Sequence, residues 1–130
     1  MRDSRERTRI LIADDYEPNR ALLRDFLKRR DFEVEEARDG EEAVSVAERF
    51  EPHVVLMDLQ MPAMDGYASA RGIRALLDCR IIAVSANVFA EEKEEAFSAG
   101  MEGFIEKPFR LATVLGEIER VLGTSPNREP

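Results

Sequence analysis

The chain has 130 residues, 44% hydrophobic and 35% charged, with 27 acidic against 19 basic side chains and a net charge of -8. That length fits one domain around a single sizeable core, and the acidic balance argues against a surface made for nucleic acid or anionic lipid. A single cysteine (Cys79) excludes an internal disulfide, and with a single histidine (His53) it leaves too few ligands for a structural zinc site.

Residues 1–7 are charged, with no apolar stretch behind them, so they read as a flexible N-terminus rather than a signal peptide. Arg9-Ile10-Leu11-Ile12-Ala13 is a short apolar run that stops at Asp14-Asp15. Pro18 suits the first turn of a helix, and Ala21, Leu22, Phe26 and Leu27 then recur on one face. Phe32 to Ala37 largely alternates, as a half-exposed edge strand does. Gly40 precedes a second helix carrying Ala43, Val44, Ala47 and Phe50. Val54-Val55-Leu56-Met57 is continuous, as a buried parallel strand is, and ends in Asp58. Asp65-Gly66 precedes a third helix with Ala70, Ile73, Leu76 and Leu77.

Ile81-Ile82-Ala83-Val84 forms a fourth run, ending in Ser85. The helical stretch from Ala90 to Ala99 is weak, because its centre is Glu91-Glu92-Lys93-Glu94-Glu95. Gly103 to Glu106 is a short fifth strand before Lys107-Pro108. Leu111, Val114, Leu115, Ile118 and Leu122 make the cleanest helical stripe, and residues 123–130 read as a flexible tail. No run approaches the roughly 18 apolar residues of a membrane span, so a soluble cytoplasmic protein is expected.

Strict alternation of strand and helix implies parallel strands joined by right-handed crossovers. Five such units over residues 8–122 fit a flavodoxin-like α/β domain, a (βα)5 three-layer sandwich with strand order 2-1-3-4-5. Ligands in such sheets bind at the carboxyl ends of the strands, beside the switch point between the first and third. The residues expected there are Asp14, Asp15, Asp58, Ser85 and Lys107. Three carboxylates brought together repel one another and need a cation or a proton. An oxygen-only set favours a hard divalent ion, Mg²⁺ in a cell. Lys107 and Ser85 suit phosphoryl oxygens, and a carboxylate can act as nucleophile to give an aspartyl phosphate. Asp58, at the end of the central strand, is the best placed to do so.

The set Asp14-Asp15, Asp58, Ser85-Ala86 and Lys107-Pro108 resembles the receiver domain of two-component response regulators. Met61-Pro62, Met64-Asp65-Gly66 and Ala99-Gly100-Met101 match as well, and the resemblance runs from about Thr8 to Leu122. It implies that Asp58 accepts a phosphoryl group from a histidine kinase or phosphotransfer protein. Asp15 would bind Mg²⁺ directly, Asp14 mostly through water, and the backbone carbonyl of Gln60 would add a ligand. Ser85 and Lys107 would contact the phosphoryl oxygens, and Phe104 would be the switch aromatic. The face made by the fourth helix, fifth strand and fifth helix would then signal to a downstream protein. Gln60 and Asn87 stand where the family tunes dephosphorylation, and the Lys107-Pro108 bond is expected to be cis. Two departures stand out: Ser85 replaces the commoner threonine, and Phe104 the common tyrosine.

The resemblance further implies a regulator rather than an enzyme, a monomer or weak phosphorylation-dependent dimer, with no direct nucleic-acid or membrane contact. No output domain is expected after Leu122, which leaves a stand-alone receiver, or one cut from a hybrid kinase or a longer regulator. Two other functions compete. An aspartyl-nucleophile phosphatase of the haloacid-dehalogenase kind would need an acid where Gln60 stands, and a phosphorylation-independent interaction module would not need the intact acid set. Taken singly, each site residue has a plainer reading: Asp14-Asp15 as a helix cap, Asp58 as a turn aspartate, Ser85 as a backbone-bonded hydroxyl and Lys107 as a solvated charge. His53 reads as a structural residue at the far end from the acids, Cys79 as an inert small residue, and Phe26, Phe50 and Phe97 as parts of helix stripes.

Overall fold

The computed structural model describes residues 7–61, 65–86 and 89–123. Ten elements alternate along the chain: β1 (Arg9–Ala13), α1 (Glu17–Arg29), β2 (Glu33–Ala37), α2 (Gly40–Phe50), β3 (Val54–Asp58), α3 (Gly66–Leu76), β4 (Arg80–Ser85), α4 (Ala90–Ser98), β5 (Gly103–Glu106) and α5 (Leu111–Gly123). The strands pair in parallel in the order β2-β1-β3-β4-β5. This is the flavodoxin-like sheet expected from the alternation.

The two-residue period of each strand divides the core in two. Leu11, Ala13, Val55, Met57, Ile81 and Ala83 face α2, α3 and α4, meeting Ala43, Ala47, Ala70, Ile73 and Ala96. Ile10, Ile12, Val54, Leu56, Ile82 and Val84 face α1 and α5, meeting Leu23, Leu27, Val114, Ile118 and Val121. The alanines on the first side let three helices lie close to the sheet. Among the described residues, no helix is long and apolar enough to cross a membrane.

Local chemistry explains where the helices near the site begin. Asp39 caps α2 by accepting the Glu42 N–H at 2.8 Å, and Asp65 caps α3 by accepting the Ala68 N–H at 2.8 Å. Gly66 is held to glycine by proximity: a Cβ there would lie 2.7 Å from both the Asp58 carbonyl oxygen and the Leu59 Cα. The first residue of α3 thus rests directly on the backbone that follows β3.

Three apolar side chains depart from the expected stripes. Leu22 is 49% exposed, because Arg20, Leu23 and Leu27 form the buried stripe of α1 and Leu22 lies about 100° round the helix from Leu23. Leu76 is also 49% exposed; it ends α3, and the extended Leu77 that follows turns inward in its place. Phe97 is 54% exposed, because α4 buries only Ala96 beside it.

β5 is an edge strand, and α5 covers its free side. The Phe104 N–H donates to Glu117 Oε2 at 3.2 Å, and Arg120 Nη2 donates to the Glu102 carbonyl at 3.0 Å. Arg120 also grips Glu117 at 2.8 Å. Gly103 leaves room for this clasp, since a Cβ there would come within 2.6 Å of Glu117 Oε2.

Candidate functional site

The register of the sheet assembles the site. Ala13 pairs with Met57, so Asp14 and Asp58 leave adjacent strands at the same level. Asp58 pairs with Val84, which places Ser85 one residue further on the neighbouring strand. The Lys107 N–H then donates to the Ser85 carbonyl at 2.9 Å, which carries the end of β5 to the same edge. The Lys107-Pro108 bond is cis. Asp14, Asp15, Asp58, Ser85 and Lys107 therefore lie together at the carboxyl edge of the sheet.

One carboxylate oxygen from each of Asp14, Asp15 and Asp58 lies within 4.8 Å of the other two. Asp58 is 2% exposed; Asp14 and Ser85 are equally buried, and Asp15 is open to solvent. Asp58 Oδ1 accepts the Gln60 N–H at 3.0 Å, and Oδ2 accepts Lys107 Nζ at 3.0 Å. Lys107 Nζ is also 3.8 Å from Asp14 Oδ2. Burial pushes the Asp58 carboxyl above the usual carboxylate range, and the Asp14 charge adds to the rise. The Gln60 N–H and Lys107 work against it without cancelling it. One ammonium thus serves two buried acids and a third acid beside them, a set short of positive charge.

The donor set is all oxygen. Among the described residues no histidine or cysteine joins the cluster, and His53 is at the opposite end of β3, where its Nδ1 accepts the Arg9 N–H at 2.9 Å. Carboxylates alone, crowded and partly desolvated, suit a hard divalent cation such as Mg²⁺. Cys79 is buried, and that burial pushes its thiol up to about 11, which fits an inert side chain.

The groups that hold Asp14 were not found from sequence. Its Oδ1 accepts the Tyr16 N–H at 2.9 Å, and Asn19 Nδ2 lies 3.4 Å from Oδ2. Its backbone N–H donates to the Ala37 carbonyl at 3.1 Å, and its carbonyl accepts from Arg20 Nη1 at 2.8 Å. The only sequence signal was the position of Asn19 and Arg20 in the first turns of α1, directly after the acids.

The remaining expected residues are less tightly placed. Gln60 is exposed in the turn after Asp58, and Ala86 is exposed beside Ser85. Phe104 is half-buried against the α2–α4 side of the core, and Lys93 Nζ lies 5.6 Å from its ring centroid. Asn87, Pro62 and Met64 lie outside the described residues. An open groove of about 440 Å³, lined by Asn19, Leu22, Ala86, Lys107, Pro108 and Phe109, runs beside the site.

Comparison with known proteins bears on this arrangement. The family model for the response regulator receiver domain matches residues 10–119. The chain is 38% identical over 110 residues to the sensor histidine kinase RcsC of Salmonella typhimurium, which covers 84% of this chain and only 12% of that protein. It is 36% identical over 115 residues to the chemotaxis protein CheY of Halobacterium salinarum, covering 87% of this chain and 95% of that one. The crystal structure of the receiver domain of sensor histidine kinase PA1611 from Pseudomonas aeruginosa superposes with a TM-score of 0.82 at 32% identity. That match covers 92% of this chain and 100% of the other, which has a magnesium ion coordinated in its active site cleft.

Proposed function

Since the chain belongs to the response regulator receiver domains of two-component signal transduction, we propose that it takes a phosphoryl group from a phosphohistidine donor onto Asp58. The observation that carries this is the state of Asp58: buried at the end of the central strand, with one oxygen on Lys107 and two further carboxylates beside it. The donor would be a histidine kinase or a phosphotransfer protein, reaching Asp58 past the exposed Ala86.

Asp14, Asp15 and Asp58, with the Gln60 carbonyl, would hold Mg²⁺, which when bound offsets the crowded acids and the charge on the transferring oxygens. In transfer, an Asp58 carboxylate oxygen bonds to phosphorus as the phosphorus–nitrogen bond of the donor breaks. The electron pair returns to the imidazole nitrogen, which takes up a proton. Lys107 follows the charge from the carboxylate to a phosphoryl oxygen. Ser85 donates its hydroxyl to another oxygen, and Phe104 moves into the space this vacates. The face of α4, β5 and α5 is changed for a downstream protein, which need only prefer one of the two states.

Hydrolysis reverses the mark: water attacks phosphorus, the phosphorus–oxygen bond breaks, and Asp58 returns as a carboxylate with release of phosphate. Gln60 and Asn87 tune this step by ordering or blocking the water. The protein acts as a regulator that assists its own phosphorylation and dephosphorylation, as a monomer or weak phosphorylation-dependent dimer in the cytoplasm. A phosphatase of external substrates is disfavoured, because Gln60 is an amide where such chemistry needs an acid. Incubation with a small acyl phosphate and Mg²⁺ should add the mass of one phosphoryl group to the wild type and none to Asp58→Asn. Absence of the adduct with every donor tried would overturn the proposal.

A further inference from the structure

We infer that Arg20 is a positioning residue for the acid cluster: its buried guanidinium fixes the peptide between Asp14 and Asp15 and so presets the Asp15 carboxylate for a divalent cation. Arg20 has this role only if the cluster takes the cation proposed above, so the inference rests on that reading.

Arginine is rarely buried without a specific partner, because desolvating the charge is costly. Arg20 is 8% exposed and sits on the core-facing stripe of α1 with Leu23 and Leu27. Its Nε donates to Glu36 Oε1 at 3.1 Å. Arg24 Nη1 holds the other Glu36 oxygen at 3.1 Å, so Glu36 is fixed from both sides. An ion pair joining α1 to β2 would need nothing more. Arg20 nevertheless spends a second donor on the Asp14 carbonyl, 2.8 Å away and buried.

That carbonyl governs the next residue. The Asp14 C=O and the Asp15 N–H share one planar unit, so orienting the oxygen sets the direction in which Asp15 leaves. The other side of Asp14 is already tied, through its N–H, to the Ala37 carbonyl. Asp15 is exposed and makes no hydrogen bond or ion pair of its own among the described residues, yet its carboxylate lies within 4.8 Å of the other two. Its place is therefore given by the backbone, and Arg20 holds that backbone. Mg²⁺ tolerates little departure from octahedral geometry, so a small swing of Asp15 should weaken binding. Groups that orient metal ligands typically matter by about 10- to 100-fold in affinity.

A purely structural staple between α1 and β2 would behave differently. Its loss would lower stability and leave the affinity of the folded protein unchanged. Calorimetric titration with Mg²⁺ separates the two, on wild type, Arg20→Met, Arg20→Lys, Glu36→Gln, Asp15→Asn and Val121→Ala, with metal-free melting curves for each. Val121 is buried near the end of α5, outside the acid cluster, and supplies a destabilised control. Arg20→Met should weaken Mg²⁺ by about 10-fold or more. Arg20→Lys, which reaches one acceptor but not both, and Glu36→Gln should weaken it less. Val121→Ala should melt earlier and bind as wild type does. The Asp15 amide resonance of the metal-free protein should move in the Arg20 and Glu36 variants.

Binding within about twofold of wild type by Arg20→Met would overturn the inference while leaving the metal site standing. If that variant does not fold, the same result from Arg20→Lys and Glu36→Gln would do so. Failure of the wild type itself to bind Mg²⁺, with Asp15→Asn indistinguishable from it, would remove the site and the inference together.

Discussion

At the scale of single residues, the site is a cluster of charge held at a cost. Burial raises the Asp58 carboxyl, so in metal-free protein the ionised side chain destabilises the fold above its raised folded-state pKa, and protonation relieves this as pH falls. Asp58→Asn should therefore melt higher than wild type in chelator, by a few degrees for about 1 kcal/mol. The gap should shrink in acid and in excess Mg²⁺, as thermal melts across pH would show. Cys79 makes the opposite case, a group kept out of chemistry. With its thiol pushed up to about 11 by burial, it should resist alkylation in the native protein at neutral pH and react on unfolding, as mass spectrometry would show. Asp14, Asp58, Ser85 and Lys107 were legible in the sequence because each stands where an apolar strand run stops. Arg20 was not: a lone arginine on a helix ordinarily reads as solvated, and its burial depends on Glu36 and a carbonyl that only the folded chain brings near.

At the scale of elements, the junction of β3 with α3 is packed backbone against backbone. Gly66→Ala would drive a Cβ into the backbone of Asp58 and Leu59, both at 2.7 Å, where no side chain can swing aside. The change should cost about 1–3 kcal/mol in denaturant unfolding and slow the phosphorylation proposed for Asp58 by shifting the turn that follows it. By contrast, α4 is loosely held. Among the described residues it buries only Ala96, has no side-chain cap bond, and carries a buried Glu92 oxygen with no hydrogen-bond partner. Its amides should be the least protected of the five helices in native hydrogen exchange. The sequence showed this weakness directly, as a charged run with little to bury. On α1 it included Leu27 but counted Leu22 and passed over Leu23, because Ala21, Leu22 and Phe26 also keep helical spacing. The buried Arg20 lies with Leu23 and Leu27.

At the scale of the whole molecule, the topology was readable because alternating strands and helices in a chain this short leave few arrangements that obey right-handed crossovers. The bonds that α5 makes to β5 were not readable, since they join side chains to a strand edge 13 residues or more away. Arg120 holds the Glu117 carboxyl below its ordinary range, so its stabilising contribution is complete above the unfolded-state value and is lost only as pH falls through the lowered one. A sheet edge with open amides is a template for pairing with another chain. With the Phe104 amide already engaged, an added strand finds no donor there to pair with. A strand added on this side would first have to break that bond. Glu117→Ala should reopen that template and raise thioflavin-positive aggregation at neutral pH, while the wild type should show it only after acidification.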